Sequence, residues 1–327
     1  MSRLLVTGAS GFIGRAVIAA FAADGHEVRA AVRRLPEPPL CSGIEIVQHA
    51  DFRRPVDWRP LVERVDAVIH LAGLAHTTGG SDELYDSINR KATEDLALAA
   101  ARAGVERIVF ISSVRAQTGA SADHILTEDD PTLPTDDYGR SKLAAEMAVR
   151  AAGLRFTILR PVLVYGRGVK GNLGWLARAA ASPLPLPVKS LTNRRSLLGV
   201  DNLVSALRFV LTSPATIGET YLVADPGTAP TLGDIIATLR EAQNRPPNLV
   251  RMPAGLIKIL LHVLQRRDVW QRIAGDLQAD PAKLIAAGWR PTHDSLAGLR
   301  MMAQQESLGI SRRLRSSVPP STPTPNT

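Results

Sequence analysis

Through the first half of the chain, short apolar runs alternate with longer helical patterns. The runs are LLVTG (4–8), VRAAV (28–32), IEIV (44–47), AVIHLA (67–72), RIVFISS (107–113) and FTILRP (156–161). Helical patterns lie between them, near 11–23, 82–104 and 138–152. Strands that lack polar alternation are typical of a parallel sheet whose two faces are both covered by helices. The sequence therefore predicts an α/β fold with a doubly wound parallel sheet of the Rossmann type.

The first apolar run leads directly into a glycine-rich turn. The segment TGASGFIG places Gly8, Gly11 and Gly14 between a strand and a helix. Glycine permits positive φ and close backbone approach, and a helix N-terminus offers free N–H groups to a pyrophosphate. In this strand–turn–helix context we predict a dinucleotide site. It also includes Ser10, Phe12 and Ile13.

The end of the second strand indicates which dinucleotide is bound. Many dinucleotide sites carry an acidic residue here, which accepts a hydrogen bond from the ribose 2′-hydroxyl. This chain has Val32, Arg33 and Arg34 instead. Guanidinium groups suit a 2′-phosphate, so the sequence favours NADP(H), with NAD(H) possible. The alternative is that both arginines are solvated surface residues.

The second half of the chain is less regular and predicts a smaller, mostly helical lobe. Residues 1–165 form the expected dinucleotide-binding domain, to which the chain returns at about 195–225. Residues 166–194 and 226–305 form the expected substrate lobe. The segment 306–327 ends in a stretch rich in Pro, Ser and Thr and poor in large apolar side chains, so we expect a disordered tail.

Composition excludes several classes of function. Aromatic residues are only 4% of the chain, which leaves no stacking platform for single-stranded nucleic acid, so no nucleic-acid partner is expected. Cys41 is the single cysteine, and the histidines show no ligand spacing, so we predict neither a disulfide nor a metal site. The net charge of +8 suits phosphate-bearing substrates or an anionic surface, or it reflects a solvated basic tail.

The same features bear on location. No uninterrupted run of 18 apolar residues occurs, so no transmembrane helix is expected. The chain opens directly on a strand, without the apolar segment of a signal peptide. A single cysteine fits a reducing compartment. We therefore expect a cytoplasmic location.

A tyrosine and a lysine four residues apart form the next candidate site. Tyr138 and Lys142, in YGRSK, share one face of the predicted helix. A nearby ammonium makes a phenol easier to ionise, so the two form a candidate acid/base couple. Taken alone, they are equally compatible with a surface pair.

Together these motifs resemble the extended short-chain dehydrogenase/reductase superfamily. Further marks in the expected order are ADF (50–52), HLAGLAH (70–76), FISSV (110–114), LRPVLVYG (159–166) and RRSLLGVDNL (194–203). Within the superfamily the chain looks like the nucleotide-sugar branch. It looks most like 4-epimerase-like enzymes that include reductases of UDP-4-keto-6-deoxy-N-acetylhexosamines.

The resemblance implies roles for individual residues. Tyr138 would be the general acid/base, and Lys142 would support it and hold the nicotinamide ribose. A hydroxyl on the fifth strand would complete the site; Ser112 and Ser113 face opposite ways, and family placement favours Ser113. Cofactor contacts would come from Asp51, Phe52, Leu71, Ala72, Gly73 and Pro161. Substrate contacts would come from Ser113, His76, Asn172, Leu173 and Arg195.

The resemblance also implies an activity, with alternatives. The first expectation is reduction of the C4 keto group of a UDP-sugar, and the runner-up is a UDP-sugar 4-epimerase with tightly bound NAD. A dehydratase is less favoured, because Val114 and Arg115 stand where such enzymes commonly carry an Asp-Glu pair. A non-catalytic dinucleotide sensor is a further alternative. Family habit implies a homodimer through helices near 82–104 and 138–152.

Overall fold

The structure is a computed structural model that describes residues 1–75, 81–169, 171–263, 270 and 275–316. Within these ranges the side chains of residues 171–173, 175, 260–261 and 306–316 are not described. Among the described residues, no helix has both the length and the apolar character that crossing a bilayer requires.

Six of the strands follow the six predicted apolar runs. They are β1 (Arg3–Thr7), β2 (Glu27–Val32), β3 (Glu45–Gln48), β4 (Ala67–His70), β5 (Arg107–Ile111), β6 (Ile125–Leu126), β7 (Arg155–Pro161), β8 (Leu163–Tyr165), β9 (Leu197–Gly199), β10 (Thr220–Val223) and β11 (Gln278–Ala279). In the described part of the chain, seven of them form one parallel sheet in the order β10-β7-β5-β4-β1-β2-β3. The predicted doubly wound parallel sheet is therefore confirmed.

Helices cover both faces of this sheet. They are α1 (Phe12–Ala23), α2 (Arg59–Val62), α3 (Asp82–Tyr85), α4 (Ala92–Arg102), α5 (Asp137–Ala151), α6 (Gly171–Ala181), α7 (Val200–Thr212), α8 (Leu232–Glu241), α9 (Ala254–Val263), α10 (Ala282–Ala286) and α11 (Ser295–Ser316). A π-helical segment, Asp86–Lys91, joins α3 to α4, and a 3-10 turn, Val114–Ala116, follows β5. One apolar layer includes Phe21 from α1 and Leu207 from α7, and the other includes Leu96 from α4 and Val149 from α5.

The strand order reverses between β1 and β4. The chain runs outward from β1 through β2 and β3, then crosses back to place β4, β5, β7 and β10 on the other side. Loops at the carboxyl ends of β1 and β4 therefore leave in opposite directions and open a crevice between them. In open α/β sheets ligands bind in such a crevice.

A smaller cluster of apolar side chains lies outside the sheet layers. It combines Leu176 of α6, Ile235 of α8 and Leu299 of α11. Two short parallel ladders, β8 with β9 and β6 with β11, join this part of the chain to the loops above the sheet. The division into a dinucleotide-binding domain and a substrate lobe stays a prediction.

The last helix reaches into the C-terminal segment. Helix α11 continues through Ser316, and the disordered tail predicted for 306–327 stays a prediction. No proline occurs between residues 306 and 318 to end a helix there. Residues 317–327 lie outside the described residues.

Candidate active site

The glycine-rich turn is built so that only glycine fits at two places. Gly8 has φ +67°, and a Cβ there would lie 2.8 Å from the backbone nitrogen of Ala72. A Cβ on Gly14 would overlap the carbonyl oxygen of Gly8. The start of α1 is thus pressed against the end of β1, which in turn touches the loop after β4.

Helix α1 presents a free N-terminus to the crevice. It begins after Gly11, and among the described residues no side chain caps it. Its first N–H groups are therefore available to an anion. Ser10 and Gly11 are exposed, and Phe12 and Ile13 are half-buried beside them.

The loop after β4 is held in place by a buried histidine that the sequence analysis did not single out. His70 Nδ1 lies 2.6 Å from Thr7 Oγ1, and His70 Nε2 lies 2.8 Å from Thr93 Oγ1. Thr93 donates its own proton to Asn89 O, so Nε2 carries the histidine proton and Nδ1 accepts from Thr7. Burial lowers the pKa of His70 to about 3, which keeps the ring neutral. Thr7 Oγ1 accepts in turn from the Ala72 backbone N–H.

Asn89, on the π-helical segment, fixes the next residues of the same loop. Its Oδ1 accepts from the Leu74 backbone N–H at 2.6 Å, and its Nδ2 donates to Leu74 O at 3.1 Å. Nδ2 also donates to Ser141 Oγ on α5 at 2.9 Å. The loop Leu71–Gly73 is thereby tied to the helix that carries Tyr138.

Ser113 and Tyr138 come together at the carboxyl edge of the sheet. Their hydroxyl groups form a hydrogen bond, and Ser113 also accepts from the Arg115 backbone N–H at 3.2 Å. Burial raises the pKa of Tyr138, while the Ser113 hydrogen bond and the Arg115 charge lower it. Ser112 faces away and donates to Glu146, so Ser113 is the hydroxyl on the tyrosine's side.

Lys142 lies one helical turn beyond Tyr138, and its amine is buried. Nζ donates to Ile111 O at 2.8 Å and lies 4.6 Å from the centre of the Phe110 ring. A Cβ on Gly73 would lie 3.3 Å from Nζ, so the loop after β4 reaches the lysine because it carries no side chain there. Burial lowers the pKa of Lys142 to about 8, against the opposing effect of Glu146.

A buried ion pair supports this arrangement from below. Arg160 of β7 donates to both carboxylate oxygens of Glu146, at 2.9 and 2.7 Å. Arg160 also donates to Gln117 Oε1 at 2.9 Å. The same Glu146 accepts from Ser112, so strand β5 and helix α5 are joined directly beneath Ser113.

The residues predicted to surround the adenosine half lie together on one surface. Arg33, after β2, donates to Asp51, and Arg53 donates to the same carboxylate. These arginines hold the pKa of Asp51 well below its usual range, the Arg53 hydrogen bond most strongly. Phe52 stacks on His49 with ring centres 4.5 Å apart. Arg34 is exposed next to Arg33.

The residues expected to contact substrate are less completely described. Arg195 donates to Gly275 O at 3.2 Å and to Ala120 O at 2.6 Å, which places it beside the loop after β5. Asn172 and Leu173 lie in the first turn of α6, but their side chains are not described. His76 lies outside the described residues. Pro161 is buried at the end of β7, opposite Val223 of β10.

Comparison with known proteins agrees with this geometry. The model of the NAD dependent epimerase/dehydratase family matches residues 4–224. A UDP-glucose 4-epimerase of Vibrio cholerae is 29% identical over 92% of this chain and 94% of that protein. A ceramide reductase of Caulobacter vibrioides is 33% identical over 76% of this chain and 73% of its own length.

A solved structure is similar over nearly the whole chain. MoeE5 in complex with UDP-glucose and NAD superposes with a TM-score of 0.74 at 25% sequence identity. The similarity covers 94% of this chain and 99% of MoeE5.

Proposed function

Since the chain belongs to the NAD dependent epimerase/dehydratase family, we propose that it is an NAD(P)-dependent oxidoreductase that reduces the C4 keto group of a UDP-4-keto-(6-deoxy)hexose or hexosamine. The observation that carries the proposal is the hydrogen-bonded couple of Ser113 and Tyr138, with Lys142 one turn away. This couple sits at the edge of the sheet where ligands of such folds bind. Two similar proteins support the substrate class: MoeE5 was solved in complex with UDP-glucose, and the Vibrio protein is a UDP-glucose 4-epimerase.

The residues around the first turn fit a nicotinamide dinucleotide. Gly8 and Gly14 let the turn approach the loop after β4 and the start of α1 closely, and the uncapped start of α1 suits a pyrophosphate. When bound, the nicotinamide supplies or accepts the hydride. Arg33 and Arg34 favour NADPH over NADH, because guanidinium groups pair with a 2′-phosphate.

The chain's own groups manage the proton. In reduction the Tyr138 hydroxyl donates its proton to the sugar oxygen at C4, and in oxidation the phenolate takes it back. Ser113 holds the same oxygen by a hydrogen bond. Lys142, next to the glycine loop after β4, holds the ribose. With a pKa of about 8 its amine is mostly charged at neutral pH.

A UDP-sugar 4-epimerase is the second candidate. The Vibrio epimerase, aligned over 94% of its length, supports it. The same residues would serve, with the dinucleotide retained and the keto sugar turned over before it is reduced again. A dehydratase has less support, since Arg115 at the position of the usual acid is engaged by Asp136.

A substrate and cofactor screen separates these candidates. Purified protein is incubated with UDP-glucose, UDP-N-acetylglucosamine and their C4 epimers, and with a UDP-4-keto-6-deoxy sugar, with NADPH, NADH or neither. Consumption of NADPH by the keto sugar supports the reductase. Turnover without added cofactor identifies an epimerase, and absence of both reactions leaves the dinucleotide-binding sensor.

Substitution of the tyrosine tests its assigned role. We expect Tyr138→Phe to lower kcat by about 10³-fold, because the proton donor is lost, while dinucleotide binding stays unchanged. Tyr221→Phe, on strand β10, is the matched control and should keep full activity. Retained activity in Tyr138→Phe contradicts the mechanism.

Cofactor preference is tested at the two arginines. We expect the double variant Arg33→Ala/Arg34→Ala to weaken NADPH binding by about tenfold or more, because a charge-assisted hydrogen bond is lost, and to leave NADH binding nearly unchanged. Arg54→Ala, an exposed neighbour, serves as control. Equal loss for both cofactors would show that the arginines do not read the 2′-phosphate.

The proposal includes a cytoplasmic homodimer. Leu98 on α4 is 37% exposed and Met147 on α5 is 59% exposed, and a paired-helix interface would cover such side chains. Sedimentation velocity of the purified protein tests the oligomeric state, and a monomer at all concentrations contradicts it.

A further inference from the structure

Arg115, in the turn after β5, links the segment that carries Ser113 to the helix that carries Tyr138. Its backbone N–H donates to Ser113 Oγ at 3.2 Å, because Ser113 caps the 3-10 turn Val114–Ala116. Its guanidinium donates to Asp136, the N-cap residue of α5. One residue thus holds the serine through its backbone and the tyrosine's helix through its side chain.

The two segments are pressed together at this point. Asp136 Oδ1 accepts from the Gly139 backbone N–H at 2.7 Å and so caps α5, which begins at Asp137, one residue before Tyr138. A Cβ on Gly139 would overlap the carbonyl oxygen of Arg115. The first turn of α5 therefore rests directly on the Arg115 peptide, so the distance between the serine and tyrosine hydroxyls depends on this contact.

The guanidinium of Arg115 is largely buried and held at one end. Its side chain is 16% exposed, against 34% for Asp136. Among the described residues, its buried Nε–H has no hydrogen-bond acceptor. Asp136 is therefore the group that fixes the position of this charge.

Several charged or titratable groups surround the Tyr138 phenol. Arg115 faces it from the 3-10 turn, Asp136 from the start of α5, and Tyr85 from α3, with ring centres 6.1 Å apart. Lys142 follows on the same helix. Arg115 lowers the pKa of Tyr138, after the larger effects of burial and the Ser113 hydrogen bond, and Asp136 and Tyr85 raise it. Arg195 lies close enough to Arg115 for the two charges to interact.

From this geometry we propose that Arg115 is a positioning residue: it fastens the serine turn to the tyrosine helix through Asp136 and supplies a fixed positive charge beside the phenol. The Arg115 backbone N–H donates to Ser113. Against the larger effect of burial, the Ser113 hydrogen bond and the Arg115 charge both lower the pKa of Tyr138 and so favour the phenolate. The effect of this charge on catalysis rests on the proposed function. The position of the charge near the phenol does not depend on that function.

The test measures ionisation of Tyr138 in the protein without substrate or added cofactor. Phenolate formation is followed by ultraviolet difference spectroscopy after stopped-flow pH jumps. Each variant is compared with the same variant carrying Tyr138→Phe, which removes the signals of the other tyrosines. A negative sugar screen leaves this measurement interpretable.

We expect Arg115→Gln to move the Tyr138 titration upward by about one pH unit, because an opposite charge near the phenolate is lost. Arg115→Lys keeps the charge and should titrate near the wild type. Asp136→Asn keeps the helix cap and removes a negative charge, so its titration should move downward. Arg140→Gln, an exposed arginine in the same helical turn that pairs with Asp137, is the matched control and should not shift.

An unchanged or downward titration in Arg115→Gln overturns the proposal. If that variant does not fold, Arg115→Met, which fills similar space without the charge, replaces it: absence of an upward shift in its Tyr138 titration overturns the proposal equally. With a substrate in hand, the pH at which kcat changes should move upward in Arg115→Gln. If Arg115 had a purely structural role, the variant would lower kcat by the same factor at every pH, and the pH at which kcat changes would stay the same.

Discussion

At the scale of the residue, Lys142 places an ionisable amine in a buried environment that disfavours its charged form. Its amine is buried between the Phe110 ring, the Ile111 carbonyl and the side-chain-free surface of Gly73. Burial disfavours the charged form, which lowers the pKa of the amine to about 8 from an ordinary value of 10.5. At neutral pH the charged amine therefore lowers the stability of the folded protein, whereas in the unfolded chain the same charge is solvated by water.

This burial predicts a specific dependence of stability on pH. Between pH 8 and pH 10.5 the folded state binds fewer protons than the unfolded state, so the free energy of unfolding rises with pH. Lys142→Met has no amine at this position. Relative to that variant, the free energy of unfolding of the wild type should rise by about 3 kcal/mol between pH 8 and pH 10.5. Urea denaturation at a series of pH values measures it.

A matched lysine controls for general effects of alkaline pH. Lys91 is exposed and pairs with Asp95 on the helix surface. The Lys91→Met variant should follow the wild-type curve through the window. Parallel curves for wild type and Lys142→Met would mean that the amine is not desolvated.

At the scale of elements, close contacts between helices and the turns that follow strands decide the geometry of the site. Helix α1 meets strand β1 at Gly14, and helix α5 meets the turn after β5 at Gly139. The Arg160–Glu146 pair joins β7 to α5 in the same region, with side chains 6% and 1% exposed. Removing one partner of such a pair leaves a buried charge without a counter-charge. Separating these two elements therefore costs more free energy than separating a surface ion pair.

The glycine contact in α1 predicts the effect of one methyl group. In Gly14→Ala the methyl would overlap the Gly8 carbonyl oxygen, so the helix must move away from the turn. We expect a loss of about 1–3 kcal/mol in the free energy of unfolding, as for other overpacked sites. Dinucleotide affinity should fall by more than tenfold, measured by NADH fluorescence.

A second helical glycine supplies the control. A Cβ on Gly255, in α9, meets nothing within 4 Å. Gly255→Ala should therefore raise stability by about 0.5–1 kcal/mol and leave dinucleotide binding unchanged. Equal behaviour of the two variants would refute the role of close packing at Gly14.

At the scale of the whole molecule, a buried polar joint ties the C-terminal helices to the sheet. Asn202, fully buried at the start of α7, donates to Asp225 at 2.7 Å and to His293 O at 2.8 Å. It accepts from the Thr292 backbone N–H and hydroxyl. Burial raises the pKa of Asp225, while its hydrogen bonds with Asn202 and the Gly199 backbone N–H oppose the rise. Asp225 follows β10, so the joint connects the edge of the sheet to the segment leading into α11.

Removing this joint should loosen the C-terminal part before the sheet. Asn202→Ala leaves Thr292 N–H and His293 O without their partners, which should cost about 2–4 kcal/mol. Hydrogen exchange should show helix α11 losing protection while β1 and β5 keep theirs. The neighbouring Asp201→Ala, exposed in the first turn of α7, should cost less than about 1 kcal/mol. A uniform loss of protection would argue against a local joint.

The amino-acid sequence by itself determined most strands of the main sheet, the longer helices beside them and the residue pairs that lie one helical turn apart. Apolar runs without polar alternation predict buried parallel strands, and the structure confirms them within one or two residues. Gly8 and Gly14 were recognised because a strand–turn–helix with these glycines has a local physical meaning. Tyr138 and Lys142 were paired because four residues are one helical turn, and the family resemblance supplied their expected roles.

Tertiary structure alone decided what depends on distant segments. Strand alternation sends Ser112 and Ser113 to opposite faces, but only the position of α5 shows which face holds the tyrosine. His70 and Arg115 acquire their roles from Thr93 and Asp136, which lie on other elements. No local pattern encodes such pairs, because packing across the sheet brings them together. The chain's periodicity therefore specifies its elements, and the contacts between elements specify its candidate chemistry.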